Sequence, residues 1–320
     1  MIYEVFAIKQ ALNKYYYPNL TVQSLIITLN KSKIDVYFYF KHNSKEEKIL
    51  IKYFSKSRKV FVIGVIATIA VTILIALRRL NEPGYAVTAS VLTLFIGLAV
   101  TALAARIAAV RSEDSMMCLL HIDLNPSAFI AKCLPIFKAM PKRSPRKCVY
   151  GLHLAEGYCA LGDYGSALNT LDETHDSASM LSAGISRDVI NAYVVRERAR
   201  CAFLRGDAAT GKEEADKLEG IAASIAAKKP AAANSLRQDA RCYSTWASLL
   251  EGEKADMTEI ESLMKKAPTK LSKIDLCVML IIAAKNSGDT EAVERFSSLL
   301  SEQGGDIAVA KQFSKEGEPQ

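Results

Sequence analysis

The sequence predicts a mainly all-α protein: a two-helix transmembrane hairpin, then an α-solenoid of helical hairpins, with a small α+β segment at the N-terminus. Three observations predict it. Two uncharged apolar runs lie a few residues apart within the first third of the chain. From Asn125 onward the patterning is helical and is broken at intervals by Gly or Pro. Only the stretch before the first apolar run carries short β-branched and aromatic segments separated by polar turns.

Residues 1–58 form the N-terminal segment. A short amphipathic helix is expected over 3–16, ended by Pro18. Three apolar stretches follow, Val22–Leu29, Ile34–Phe40 and Ile49–Phe54, with polar turns between them. They read as a three-stranded meander. Lys9 and Lys14 interrupt the opening apolar residues, so the stretch does not read as a signal peptide.

Residues 59–111 hold the hairpin. Val60–Leu77 and Tyr85–Ala105 carry no charge. As helices they measure ~27 and ~31 Å, close to the ~30 Å hydrocarbon core of a bilayer. The connection RRLNEPG is turn-like and short, which makes the two helices antiparallel neighbours. Gly64, Ala67, Ala70, Gly97, Ala99 and Ala102 suit close helix approach. Lys/Arg residues cluster outside the hairpin (Lys41 to Lys59, then Arg106 and Arg111), and only Arg78 and Arg79 sit in its loop. The bias predicts an integral protein, assigned to the plasma membrane, with both termini in the cytoplasm.

Residues 112–124 are expected as a juxtamembrane linker, 125–315 as the helical domain and 316–320 as a tail. Asn125–Pro126 reads as an N-cap followed by proline at the first helical position. Further breakers mark helices near 126–140, 147–161, 164–174, 187–205, 207–228, 231–251, 256–266, 270–287 and 289–303, with a last segment at 306–315.

Charge separates the two parts. Residues 1–111 carry 15 Lys/Arg against 5 Asp/Glu, and residues 112–320 carry 26 against 29. A nucleic-acid partner needs a basic groove on the folded domain, and this domain is mildly acidic. The basic character belongs to membrane topology and to anionic lipid headgroups, with KRSPRK (142–147) as a further possible contact. Of the seven cysteines no two lie within three residues of each other. That excludes metal-knuckle and redox spacing, and the expected state is free, mostly buried thiols in a reducing compartment.

The segment LAEGYCALGDYGSALNTLDE (Leu154–Glu173) sets Tyr158 and Gly162 before Asp163, Tyr164 and Ala167. Small residues allow the two helices to approach, the tyrosines fill the space around them, and glycine permits the turn. This closely resembles a tetratricopeptide repeat, and the resemblance implies helical hairpins stacked over about 125–315. Gly206, Gly252 and Gly288 mark weaker copies. The turn glycines fall 44, 46 and 36 residues apart, wider than the family's usual ~34.

No HExxH, GxSxG, GxxxxGK[ST] or GxGxxG occurs, so the expectation is no enzyme, no cofactor, no metal site and no catalytic residue. Acidic runs such as Glu213–Glu219 read as solvated helix faces. Arg196 and Arg200 share a helix face and are the candidates for binding an acidic peptide. The function expected is a membrane-anchored adaptor whose cytosolic solenoid binds protein or peptide partners. The alternative is a membrane sensor, in which the hairpin and N-terminal segment receive a signal and the solenoid passes it on.

Overall fold

The computed structural model describes residues 25–30, 33–38, 49, 52–78, 83–181 and 185–316. These are mostly helical. Strands β1 (Leu25–Asn30) and β2 (Lys33–Phe38) pair antiparallel, with Leu25 opposite Phe38 and Asn30 opposite Lys33. The α+β expectation for 1–58 is otherwise not supported. The helix expected over 3–16 lies outside the described residues. The third strand is not formed, because Ile49, Lys52 and Tyr53 are already helical. Lys52 is the one charge in that apolar stretch, so it lacks the apolar-polar alternation of a half-buried strand.

Twelve helices follow among the described residues: α1 (Ser55–Arg78), α2 (Pro83–His121), α3 (Pro126–Ala139), α4 (Pro145–Leu161), α5 (Tyr164–Ser179), α6 (Ile185–Leu204), α7 (Ala208–Ile225), α8 (Pro230–Leu250), α9 (Met257–Lys266), α10 (Lys270–Ser287), α11 (Thr290–Gln303) and α12 (Ala308–Glu316). The chain divides into two compact units. Unit 1 holds residues 1–47, 137–159 and 163–253. Unit 2 holds 48–136, 160–162 and 254–320.

In unit 2, α1 and α2 pack along their length. The contact is reciprocal: Gly64 of α1 lies against Thr101 of α2, and Gly97 of α2 lies against Thr68 of α1. A Cβ at either glycine would overlap the opposing threonine. Each helix therefore carries Gly-x-x-x-Thr, a small residue and its knob one turn apart. The hydroxyl of Ser57 donates to the Ala105 carbonyl at 2.8 Å and ties the open end of the hairpin.

The linker expected at 112–124 is instead helix through His121, so α2 runs unbroken for 39 residues, ~58 Å. Nothing in Ser112–His121 breaks a helix, and Met116 and Leu120 give it a buried stripe. The turn after it is unusual. Leu124 has φ 51°, a left-handed conformation disfavoured for a branched side chain. Its carbonyl accepts from the Asp306 N–H at 3.0 Å, and Gly305 packs on it. The chain ahead of α12 thus clamps the end of α2.

Unit 1 stacks helices pairwise. Gly151 of α4 faces Thr174 of α5 without room for a Cβ. Ala155, Leu171 and Val194 join α4, α5 and α6 in one cluster. Farther along, the Phe203 ring of α6 stacks on Trp246 of α8, centroids 5.6 Å apart, and Gly211 of α7 leaves space for that ring.

Candidate functional site

The residues singled out around the first Gly-Asp turn come together. Gly162 ends α4 with φ 82°, a conformation that favours glycine. Asp163 then caps α5: its carboxylate accepts from the Ser166 N–H at 3.0 Å, while its own N–H reaches back to the Tyr158 carbonyl at 3.0 Å. Ala167 is fully buried beside Cys159 and Cys201, with Tyr158 and Tyr164 packed on that cluster. The Tyr164 hydroxyl donates to the Leu204 carbonyl at 3.1 Å, which fixes the start of α5 to the end of α6.

The same backbone pattern recurs. Gly206, Gly252 and Gly288 all have positive φ. In each case the N–H of the next residue donates to the carbonyl five residues back: Asp207 to Ala202, Glu253 to Ser248, Asp289 to Ala284. Asp207 and Asp289 cap the helix that follows, accepting from Thr210 and Ala292. Glycine supplies the left-handed residue of a Schellman turn, and aspartate the cap of the next helix.

The two arginines expected to bind a partner are occupied internally. Arg196 donates to one oxygen of Glu197 from Nε (3.1 Å) and Nη2 (2.6 Å), and lies 3.6 Å from Asp239. Its guanidinium also sits over the Tyr193 ring, 4.8 Å from the centroid. Arg200 is only 5% exposed, and its Nη1 lies 3.8 Å from the other Glu197 oxygen. Arg200 is buried against Glu197, while the Arg196 side chain stays 30% exposed beside the same carboxylate. Sequence spacing showed that they share a helix face; it did not show that both answer one glutamate.

Glu197, Asp239 and Tyr243 were not anticipated, and they complete this network between α6 and α8. Burial opposes the charge on Arg196, but Glu197, Tyr243 and Asp239 together hold it more firmly protonated than usual. Burial pushes the Asp239 carboxyl up, with Glu197 adding to the shift and Arg196 opposing it. Burial and the neighbouring Glu197 likewise raise the Tyr243 hydroxyl well above its ordinary range. The one available signal was a run of alternating charge in an otherwise apolar helix, VVRERAR (194–200).

The basic run 142–147 is also split. Lys147 turns inward, 4% exposed, to meet Glu173 at 2.9 Å and the face of Phe137. Lys142, Arg143 and Arg146 are exposed. The expectation of seven free thiols fails at Cys159 and Cys201, which form a disulfide between α4 and α6. The other five are not in disulfides. Burial raises the Cys133 and Cys277 thiols to about 12 and also raises Cys148.

Set against models of known protein families, curated proteins and solved structures, the chain matches none of them.

Proposed function

We propose that this chain is an integral membrane scaffold: α1 and α2 cross a bilayer, and the helices after them present a surface on which other proteins assemble. One observation carries the reading. Both helices are long and strongly apolar, with mean hydropathies of 3.0 and 2.2, yet only 6% of the apolar stretch of each is buried. Ile63, Ile66, Leu74, Val87 and Val100 are each more than 60% exposed. A soluble core helix buries such residues, each worth ~1.5–3 kcal/mol when removed from water. A hydrocarbon layer accounts for a hairpin that leaves them all uncovered. The charge bias outside the hairpin supports cytoplasmic placement of both ends.

The scaffold reading rests on the repeated turn. Gly-Asp junctions at 162, 206 and 288 share one hydrogen-bond pattern, which supports reading α4 to α11 as a tetratricopeptide-like array. Such arrays suit peptide and protein docking. To test it, the tagged full chain is purified from detergent extract beside a version lacking residues 125–320. A scaffold retains a defined partner at fixed stoichiometry only when those residues are present. No such partner, or one retained equally by both, would contradict it.

The continuity of α2 favours a second reading, a sensor in which the hairpin drives the helices beyond it. An unbroken helix clamped at Leu124 supports the transfer of tilt or rotation from the bilayer. Replacing residues 59–105 with an unrelated hairpin separates the two, because a scaffold keeps its partner and a sensor loses its response.

A further inference from the structure

Two adjoining cavities in unit 2 meet at the first turn of α10. The smaller, ~200 Å³, is floored by Met264, Ile274, Leu299 and Leu300. The larger, ~460 Å³, is walled by Met117, Cys118 and Ile122 from the end of α2 and by Pro268. Lys270 and Lys273 line both, and Lys265 stands at the smaller. All three lysines are exposed, and among the described residues none of them takes part in an ion pair. His121 and Asp114 complete the rim of the larger cavity, Asp114 bringing the one carboxylate.

An apolar floor with a few convergent polar groups is the usual make-up of a small-ligand site. Here three lysines, in no ion pair among the described residues, outweigh the single carboxylate of Asp114, so the complementary ligand is an amphiphile with an anionic head. Its source follows from α2. The cavity wall begins ~12 Å past Arg106 along the same helix that leaves the apolar run. The headgroup layer of a bilayer is only ~5–8 Å deep on each side. A two-chain phospholipid would have to leave the bilayer to reach this point. A single-chain lipid is held there only marginally and exchanges readily.

From this geometry we infer that the double cavity astride the first turn of α10 binds a single-chain anionic lipid of the fatty-acid or lysophosphatidate class, its chain on Met264, Ile274 and Leu300 and its head on Lys270 and Lys273. The inference rests on the membrane reading for the source of the ligand, while binding itself needs no bilayer.

Cys118 supplies the measurement, because it is a free, half-buried thiol in the cavity wall. The full chain in phosphatidylcholine nanodiscs is labelled with N-ethylmaleimide, with and without oleoyl lysophosphatidic acid, and followed by peptide mass spectrometry. Oleoyl lysophosphatidylcholine, with the same chain and no net charge, is the control, and Cys242 is the internal reference. At a lysophosphatidic acid concentration about four times its Kd, labelling of Cys118 slows about fivefold. The zwitterionic lipid has little effect, and the Lys270→Glu/Lys273→Glu variant loses the protection. Both lysines are exposed, so the variant keeps its fold, which circular dichroism checks. Absent protection, equal protection by both lipids, or protection that survives the double variant overturns the inference. Protection by a poly-glutamate peptide in place of the lipid also overturns it, in favour of a protein ligand. The labelling is repeated in neutral detergent. Protection there by a chain that fails to enter nanodiscs counts against the membrane reading alone.

Discussion

Glu197 is a buried carboxylate of unit 1 that answers two guanidinium groups. Removing it takes from Arg200 an ion-pair partner at 3.8 Å and leaves Arg196 with the more distant Asp239, 3.6 Å away. Glu197→Ala is therefore expected to cost about 3–5 kcal/mol, the range found when one partner of a buried pair is deleted. Urea unfolding followed by tryptophan fluorescence reads it through Trp246, which lies one turn from Tyr243. A loss below 1 kcal/mol would show the network to be slack. Asp239 makes a signed prediction. Its folded pKa is raised, so the native state holds the proton more tightly than the unfolded chain does. Its contribution is most favourable below the ordinary carboxylate pKa and declines as pH rises toward the folded value. Stability relative to Asp239→Asn should thus fall as pH rises above the ordinary carboxylate pKa, and a rise would contradict the burial argument. At this scale the sequence was readable where chemistry is local. Gly162, Asp163, Tyr164 and Ala167 do in the structure what a turn, a cap and a close contact demand. For Arg196 and Arg200, helical spacing says which residues share a face and is silent on what that face meets.

Among the elements, α1 and α2 show how composition and contact differ as sources of information. Apolar length and a short charged turn were enough to read the hairpin. The small residues pointed to close packing, and of them Gly64 and Gly97 each lie beneath a threonine of the other helix. Register decided that, and register depends on how the two helices slide past each other. Gly97→Leu is expected to drive Thr68 out and separate the helices. In a two-cysteine reporter, Ser57→Cys/Ala105→Cys, cross-linking at the open end should fall severalfold in the Gly97→Leu background. Unchanged cross-linking would mean that the Gly-Thr contact does not set the spacing. The other lesson concerns 112–124. No proline or glycine interrupts it, and a helix already started extends at little cost, so helix replaces the expected linker through His121. The buried Met116 and Leu120 then fix its place. The run Ile49–Phe54 was the least legible, since a short apolar run near basic residues suits strand or helix equally.

For the molecule as a whole, the governing question is which compartment holds the helices after the hairpin. Charge bias points to the cytoplasm, where thiols are kept reduced. The bond between Cys159 and Cys201 suits an oxidising compartment. Peptide mapping of the full chain, alkylated inside intact cells before lysis, distinguishes the two. Free thiols at both positions agree with cytoplasmic placement, and a linked Cys159–Cys201 peptide would reverse the orientation while leaving the hairpin in place. The most direct measurement addresses the hairpin itself. Membranes from cells making the full chain are washed in alkaline carbonate and centrifuged, and the chain is followed in pellet and supernatant. The account predicts that it stays with the pellet and is released only by detergent. Recovery in the supernatant, soluble without detergent, would contradict it.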